Sequence, residues 1–368
     1  MYVGRACVDT CEQAELFVEK TIEYIDRNPG ETYRKQVLLA GEYLGFGGIS
    51  EWGGNIMEEL IDGCTEHGYT TEGIPDEPDK YKISTLLDRD WEENDWPKSE
   101  LIQRINNGVH IINHLGHGNI DYAMKLRKTD IDSLQNDDLC FIYSQACLSG
   151  HFDQTDCLAE YLTCKTEYGA VAIIMNTREG WGKYYSTDGA SQRYNREFWD
   201  AIFYEDIIQI SRANQDSKED NIYRINEDSQ IMRWVFYELT LFGDPTLGFE
   251  KMSPEKPQKP GGTEEGQTGE NYLYSTTTID PDRNLVYFQW DWGDGTQSEW
   301  LGPYDSEEQL ETAHRWGENG VYNVKVKAKD TYGLESDWSD PLSVAMPVSQ
   351  QTQQCKILRF FLPQGYLS

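Results

Sequence analysis

Positive charge is scarce in this chain. Its 32 Lys and Arg face 64 Asp and Glu, which leaves a formal net charge of −32 over 368 residues. A field of that sign repels nucleic acid and anionic membranes, while it favours solubility and cationic partners. Long apolar runs are also missing: no stretch approaches the roughly 20 residues of a membrane-spanning helix. No secretory leader is visible at the N-terminus, where Met1-Tyr2-Val3-Gly4-Arg5 already reads as folded-domain sequence. The cysteines, Cys7, Cys11, Cys64, Cys140, Cys147, Cys157, Cys164 and Cys355, contain no CxxC pair. That argues against a zinc ribbon or a redox dithiol. Cys7 and Cys11 fall one helical turn apart, but no second pair completes a tetrahedral metal site. A DxDxDG loop of the EF-hand type is absent as well.

What is present is a chain with 38% hydrophobic and 12% aromatic residues, enough for folded cores rather than disorder. Up to about residue 250, strand-like and helix-like stretches alternate. Val37–Ala40 reads as a short strand, followed by the glycine-rich loop GEYLGFGG, with Ser50 as the expected N-cap of a helix. Residues 80–87 read as extended, and the PKSELIQRINNG stretch from Pro97 reads as a helix with proline in its first turn. Residues 157–166 and 190–204 read as helices, 169–177 as a buried strand and 228–239 as another helix. Alternation of this kind predicts a parallel sheet covered on both faces, with ligands beyond the carboxyl ends of its strands.

Residues 251–272 are rich in Pro, Gly and Glu and read as a linker. Beyond them, VYFQWDWGDG and VYNVKVKAKD show period-two patterning, which predicts an antiparallel β-sandwich over 273–348. The tail 349–368 is polar and then apolar and is left unassigned.

Two apolar runs end in reactive residues: HIINHLGHG reaches His117-Gly118, and LCFIYSQAC reaches Cys147. Adjacent strands ending this way would set an imidazole beside a thiol at one sheet edge, the parts of a thiol nucleophile with an acid/base partner. A lone cysteine at a strand end is usually packing, so the histidine is what gives Cys147 its interest. His110 and His114 compete with His117 for the acid/base role, although 114 and 117 point to opposite faces of a strand. His151 reads as structural.

The paired His-Gly and Ala-Cys blocks resemble the caspase-like cysteine peptidases, and most of all the gingipain family (family C25). GHG at 116–118, ACLSGHF at 146–152, CLAEYL at 157–162, GAVAIIMNT at 169–177 and LFGDPTL at 241–247 carry the resemblance. It implies a caspase-like three-layer αβα sandwich with a mainly parallel sheet over 1–250, lacking the N-terminal subdomain of full-length relatives. WDWGDG at 290–295, His314 and Gly320-Val321-Tyr322 resemble PKD domains, immunoglobulin-like β-sandwiches of secreted and surface proteins.

The resemblance further implies a cysteine endopeptidase acting on protein or peptide substrates outside the cell or at its surface. Cys147 is then the nucleophile, His117 the general acid/base and Glu42, in LLAGEYLGFGG, the orienter of His117. The backbone N–H groups of Gly118 and Cys147 would hold the oxyanion. Leu115, Gln145 and Trp181 would wall the substrate pocket. The acidic residue that would select a basic P1 side chain belongs near 53–55, where this chain has Asn55, with Glu51 and Glu58 nearby. No cofactor is implied for the chemistry; structural calcium is, without assignable residues. Two other readings share these residues: a sortase-like transpeptidase, and an inactive adhesion protein whose PKD-like module carries the function. Oligomeric state is not legible.

Overall fold

The apolar runs fold as expected for strands buried on both faces. The computed structural model describes residues 2–27, 32–77, 80–249, 253–280 and 284–347 and divides into two units, 1–251 and 252–368. In the first, strands β1 (Gln36–Gly41), β2 (Lys82–Leu87), β3 (Ile111–Leu115), β6 (Cys140–Ser144), β7 (Ala170–Asn176) and β8 (Leu239–Phe242) make a six-stranded sheet. A small hairpin, β4 (Tyr122–Ala123) and β5 (Leu126–Arg127), interrupts the sequence between β3 and β6. Sheet order is β2-β1-β3-β6-β7-β8, parallel except for β8, which pairs antiparallel with β7 at the edge.

Every residue of β3, β6 and β7 is buried, so these strands read as continuous apolar runs rather than alternating ones. The helices are α1 (Cys11–Asp26), α2 (Gly53–Glu58), α3 (Lys98–Asn106), α4 (Leu158–Cys164), α5 (Ala190–Phe203), α6 (Ile210–Asp220) and α7 (Ile231–Glu238). Leu101 and Ile105 of α3 and Leu158, Ala159 and Leu162 of α4 pack with Leu38, Ile112, Ile142 and Ile173 on one face. On the other, Phe198 and Trp199 of α5 meet Phe141 of β6, and the Trp199 indole donates to Asn113 of β3. Helices on both faces make this the mixed three-layer α/β unit expected.

Several local expectations change. β3 stops two residues before His117 and β6 three before Cys147, so both reactive residues sit on turns beyond the strands. Ser50 does not cap a helix: it lies in a 3-10 turn, Gly48–Glu51, and its hydroxyl donates to Gly47 O. The chain passes Gly47 and Gly48 at positive φ, which delays α2 to residue 53. Cys7 precedes α1, whose N-cap is Thr10, so Cys7 and Cys11 do not share a helix.

The second unit has the alternating pattern. β9 (Gly261–Gly262), β10 (Tyr272–Thr276) and β13 (Leu310–His314) form one antiparallel sheet; β11 (Val286–Asp291), β12 (Leu301–Tyr304), β14 (Gly320–Lys329) and β15 (Leu342–Met346) form the other. Val286, Phe288 and Trp290 point inward from β11, while Tyr287, Gln289 and Asp291 lie between them at the surface side. Trp290 stacks on Trp292 at 5.1 Å between ring centroids, and Trp292 stacks on His314 at 4.3 Å. His314 is held in turn by Asp294 at 2.9 Å.

The stretch expected to be a linker is partly structural: Gly261 and Gly262 pair with Ser275 and Tyr274, and Ala345 N–H donates to Glu264 O. Strand pairing is a backbone property, so a Gly/Pro-rich composition did not prevent it. The tail 349–368, including Cys355, lies outside the described residues.

Candidate active site

Four neighbouring strands end at one edge of the parallel sheet, and each delivers a residue of interest there. Glu42 follows β1 directly: its N–H donates to Leu115 O at 2.9 Å and its C=O accepts from Gly53 N–H at 2.7 Å. The carboxylate, 5% exposed, is thereby aimed along the edge. One oxygen is 3.0 Å from His114 Nε2 and the other accepts the His117 backbone N–H at 3.3 Å. A side chain at position 116 would collide with it, since a Cβ there would lie 2.3 Å from Glu42 Cδ. Gly116 is therefore what lets the carboxylate slide under the turn.

The β3 and β6 turns meet at the next glycine. A Cβ on Gly118 would stand 2.8 Å from Ala146 Cβ and 2.9 Å from Cys147 O, so the GHG turn lies directly against the Ala146-Cys147 turn. The strands beneath are in parallel register, His114 beside Ser144, and Gln145 N–H donates to His114 O at 3.0 Å. His117 is exposed there and Cys147 half-buried.

Cys147 Sγ lies 3.8 Å from Gly180 O. Leu148, the next residue, has φ of +59°, a conformation costly for a leucine, and is held by its N–H bond to Arg178 O at 2.7 Å. Burial pushes the Cys147 thiol above its ordinary value, opposed by a hydrogen bond with the Gly180 backbone and reinforced by the nearby acidic groups Glu238 and Glu179. The resting group is a thiol at neutral pH.

The competing histidines are occupied. His114 is fully buried, with Nδ1 2.9 Å from Ser144 Oγ and Nε2 on Glu42. His110 is buried against Tyr24 Oη and Arg34 O, and burial drives it down to about 3. His151 Nε2 is 2.8 Å from Asp153.

Among the three residues expected to wall a pocket, only Trp181 is open, at 37% exposure. Leu115 is buried in the last position of β3. Gln145 is 3% exposed, its amide donating to Asn195 and accepting from Gln192. Both belong to the sheet interior because they leave the strands before the turns begin. Asn55 donates to Ile49 O and faces Arg89.

Glu42 differs from expectation in its partner: it reaches His117 at the backbone and gives its ring bond to His114. Strand alternation is the one sequence signal for this, because it turns 114 inward. Glu238, the last residue of α7 and 3% exposed, has no sequence signal that points to it; burial and Glu179 raise its carboxyl to about 9. Glu205, Asp216 and Asp220 bring carboxylate oxygens within 4.8 Å of one another. This all-oxygen set suits a hard cation such as the calcium implied by the resemblance.

Residues 1–250 match the model of peptidase family C25. The chain belongs to that family. A second family model, the PKD domain, matches 254–345. As a C25 member the chain is a cysteine peptidase by family, with protein substrates. No curated protein matches it. Among solved structures, the PKD domain of an M14-like peptidase from a Thermoplasmatales archaeon is 38% identical, covering 27% of this chain and 99% of that one, with a TM-score of 0.26. The PKD domain of the human receptor SorCS2 is 24% identical, covering 28% of this chain and 81% of that one, TM-score 0.21. No helix of the described residues is long and apolar enough to cross a membrane.

Proposed function

We propose that this C25 peptidase is a gingipain-like endopeptidase that cleaves peptide bonds through an acyl-enzyme on Cys147. The observation that carries this reading is the apposition of the His117-Gly118 turn against Ala146-Cys147 at the carboxyl edge of β3 and β6. Because burial keeps Cys147 a thiol at rest, His117 takes the Sγ proton as sulfur attacks the substrate carbonyl. The C–N bond then breaks, and the imidazolium returns that proton to the leaving amine. Water, deprotonated by His117, hydrolyses the thioester and regenerates the thiol. Backbone N–H groups of Gly118 and Cys147 receive the oxyanion of each tetrahedral intermediate, and the strained turn at Leu148 fixes the second donor.

Glu42 acts here as a positioning residue. It fixes the His117 backbone and anchors the His114 layer beneath it. Trp181 is the open apolar wall beside the nucleophile and takes part of the P1 side chain. The PKD-type module supports an extracellular or surface setting, since such modules belong to secreted and surface proteins.

An electrophilic peptide that alkylates thiols tests the reading. The described cysteines are all unpaired; Cys64, Cys140, Cys157 and Cys164 are buried, whereas Cys7 and Cys11 are reachable, so it is competition by substrate that marks labelling at Cys147. Substrate-competed labelling that persists in Cys147→Ala, or hydrolysis that survives it, overturns the proposal. Adding an amine acceptor separates the two enzymatic outcomes: free acid marks a hydrolase, ligated product a transpeptidase.

A further inference from the structure

After α2 the chain doubles back on itself. Cys64 N–H donates to Thr71 O at 2.8 Å and Cys64 O accepts from Thr71 N–H at 3.0 Å, while Ile61 bridges to Ile74. This narrow loop carries Cys64 and His67 in a C-x2-H spacing and folds them onto Glu59, the residue just past α2. One ligand atom from each of Glu59, Cys64 and His67 lies within 4.8 Å of the other two. His67 Nε2 stands 3.0 Å from Glu59 Oε2. Cys64 is 8% exposed, and the Glu59 and His67 side chains 13% and 14%. An open cavity of about 460 Å³ lies over the group, lined by Asn55, Glu58, Glu59, Cys64 and Glu66.

We propose that Glu59, Cys64 and His67 form a zinc site that braces the wall of the cleft, with the cavity supplying a water as fourth ligand. The donor set is one thiolate, one imidazole and one carboxylate, which suits zinc and disfavours calcium or magnesium. Two anionic ligands balance the charge of a divalent ion.

Arg196 does not oppose this. Its guanidinium is 3.0 Å from Glu59 Oε2 and also 2.6 Å from Asp188 Oδ1, so its charge is already matched. It acts as the outer partner that holds a ligating carboxylate in place. Thr187 Oγ1 lies 3.4 Å from His67 Nε2, the nitrogen that faces Glu59, and so borders the site. Arg196 and Thr187 belong to α5 and to the stretch that follows Trp181. Ile49 and Asn55, on the cavity side, belong to the stretch that follows Glu42. A metal here would therefore clip together the two segments that flank the proposed substrate site. The ion is structural and takes no part in the chemistry.

Cobalt titration of the full chain carrying Cys147→Ala, which removes the active-site thiol as a ligand, provides the test. One cobalt ion per chain should bind with a sulfur-to-cobalt charge-transfer band, and zinc should abolish the band by displacement. Adding Cys64→Ser should eliminate the band and weaken binding at least about tenfold. His67→Gln, which keeps the thiol, should weaken binding similarly while retaining a sulfur band at high cobalt. Zinc should raise the melting temperature of the parent but not of either variant. A band that persists in Cys64→Ser, or no band in the parent, overturns the proposal. If Cys64→Ser misfolds, binding by His67→Gln at parent affinity overturns it equally.

Discussion

The two units solve the problem of polar side chains in opposite ways. In the PKD unit, strands alternate, and the polar residues of β11 and β14 stay at the surface while Trp290, Trp292 and Trp316 fill the core. In the peptidase unit β3 and β6 are buried on both faces, so Asn113, His114 and Ser144, with Glu42 and Gln145 just past the ends of β1 and β6, lie inside. Each is then hydrogen-bonded, because an unsatisfied buried polar group costs about 1–3 kcal/mol. The difference teaches that the peptidase unit keeps a hydrogen-bonded polar layer inside it, part of it directly under the reactive edge. There it fixes the turns that carry His117 and Cys147.

Substitutions at the two ends of this contrast should separate chemistry from stability. Cys147→Ala should lower kcat/KM at least about 10³-fold with an unchanged circular dichroism spectrum. His117→Ala should cost about 10²–10⁴-fold, also with the fold intact, whereas near-normal turnover would remove His117 from the chemistry. In the other unit, Trp290→Ala should destabilise by about 3–5 kcal/mol, visible as a lowered melting transition. Hydrolysis of small peptides should be unaffected, and a parallel loss would mean that the units are coupled.

Glu42→Gln should have a smaller effect on catalysis. Weakening a charged hydrogen bond is worth about 1.5–3 kcal/mol, or roughly ten- to a hundredfold in kcat, with KM little changed. The effect at Glu238 is on stability and depends on pH. Its carboxyl, raised from 4.5 to about 9 by burial, stays protonated in the fold while the unfolded chain ionises. Stability contributed there is full below pH 4.5 and lost as pH rises toward 9. Glu238→Gln should therefore melt higher than the parent at pH 8 and converge with it at pH 4. Parallel curves at both pH values would show that the group does not titrate as described.

Legibility from sequence follows the same divide. The apolar runs of β3, β6 and β7 were readable because doubly buried strands leave no polar interruption, and the WDWGDG turn because its side chains bond locally, Asp291 to Gly293 and Asp294 to Thr296. Contacts between distant residues were not. Glu42 and His114 are 72 positions apart and meet only because β1 and β3 are neighbours. Gln145 beside the nucleophile reads as a pocket residue in one dimension, yet its partners on α5 draw it inward. The Gly261–Gly262 strand was invisible for another reason, since it pairs through backbone alone.

The place of β3 and β6 in the sheet order has a dynamic consequence. They are its two middle strands, each laddered on both sides, with β2-β1 beyond one and β7-β8 beyond the other. Their amides exchange with solvent only when two ladders open together, which places them in the most protected class of the fold. The edge strands β2 and β8 can fray without disturbing them. In hydrogen–deuterium exchange, the platform under His117 and Cys147 should be the last region to take up label, so that the reactive turns ride on the slowest-opening part of the molecule.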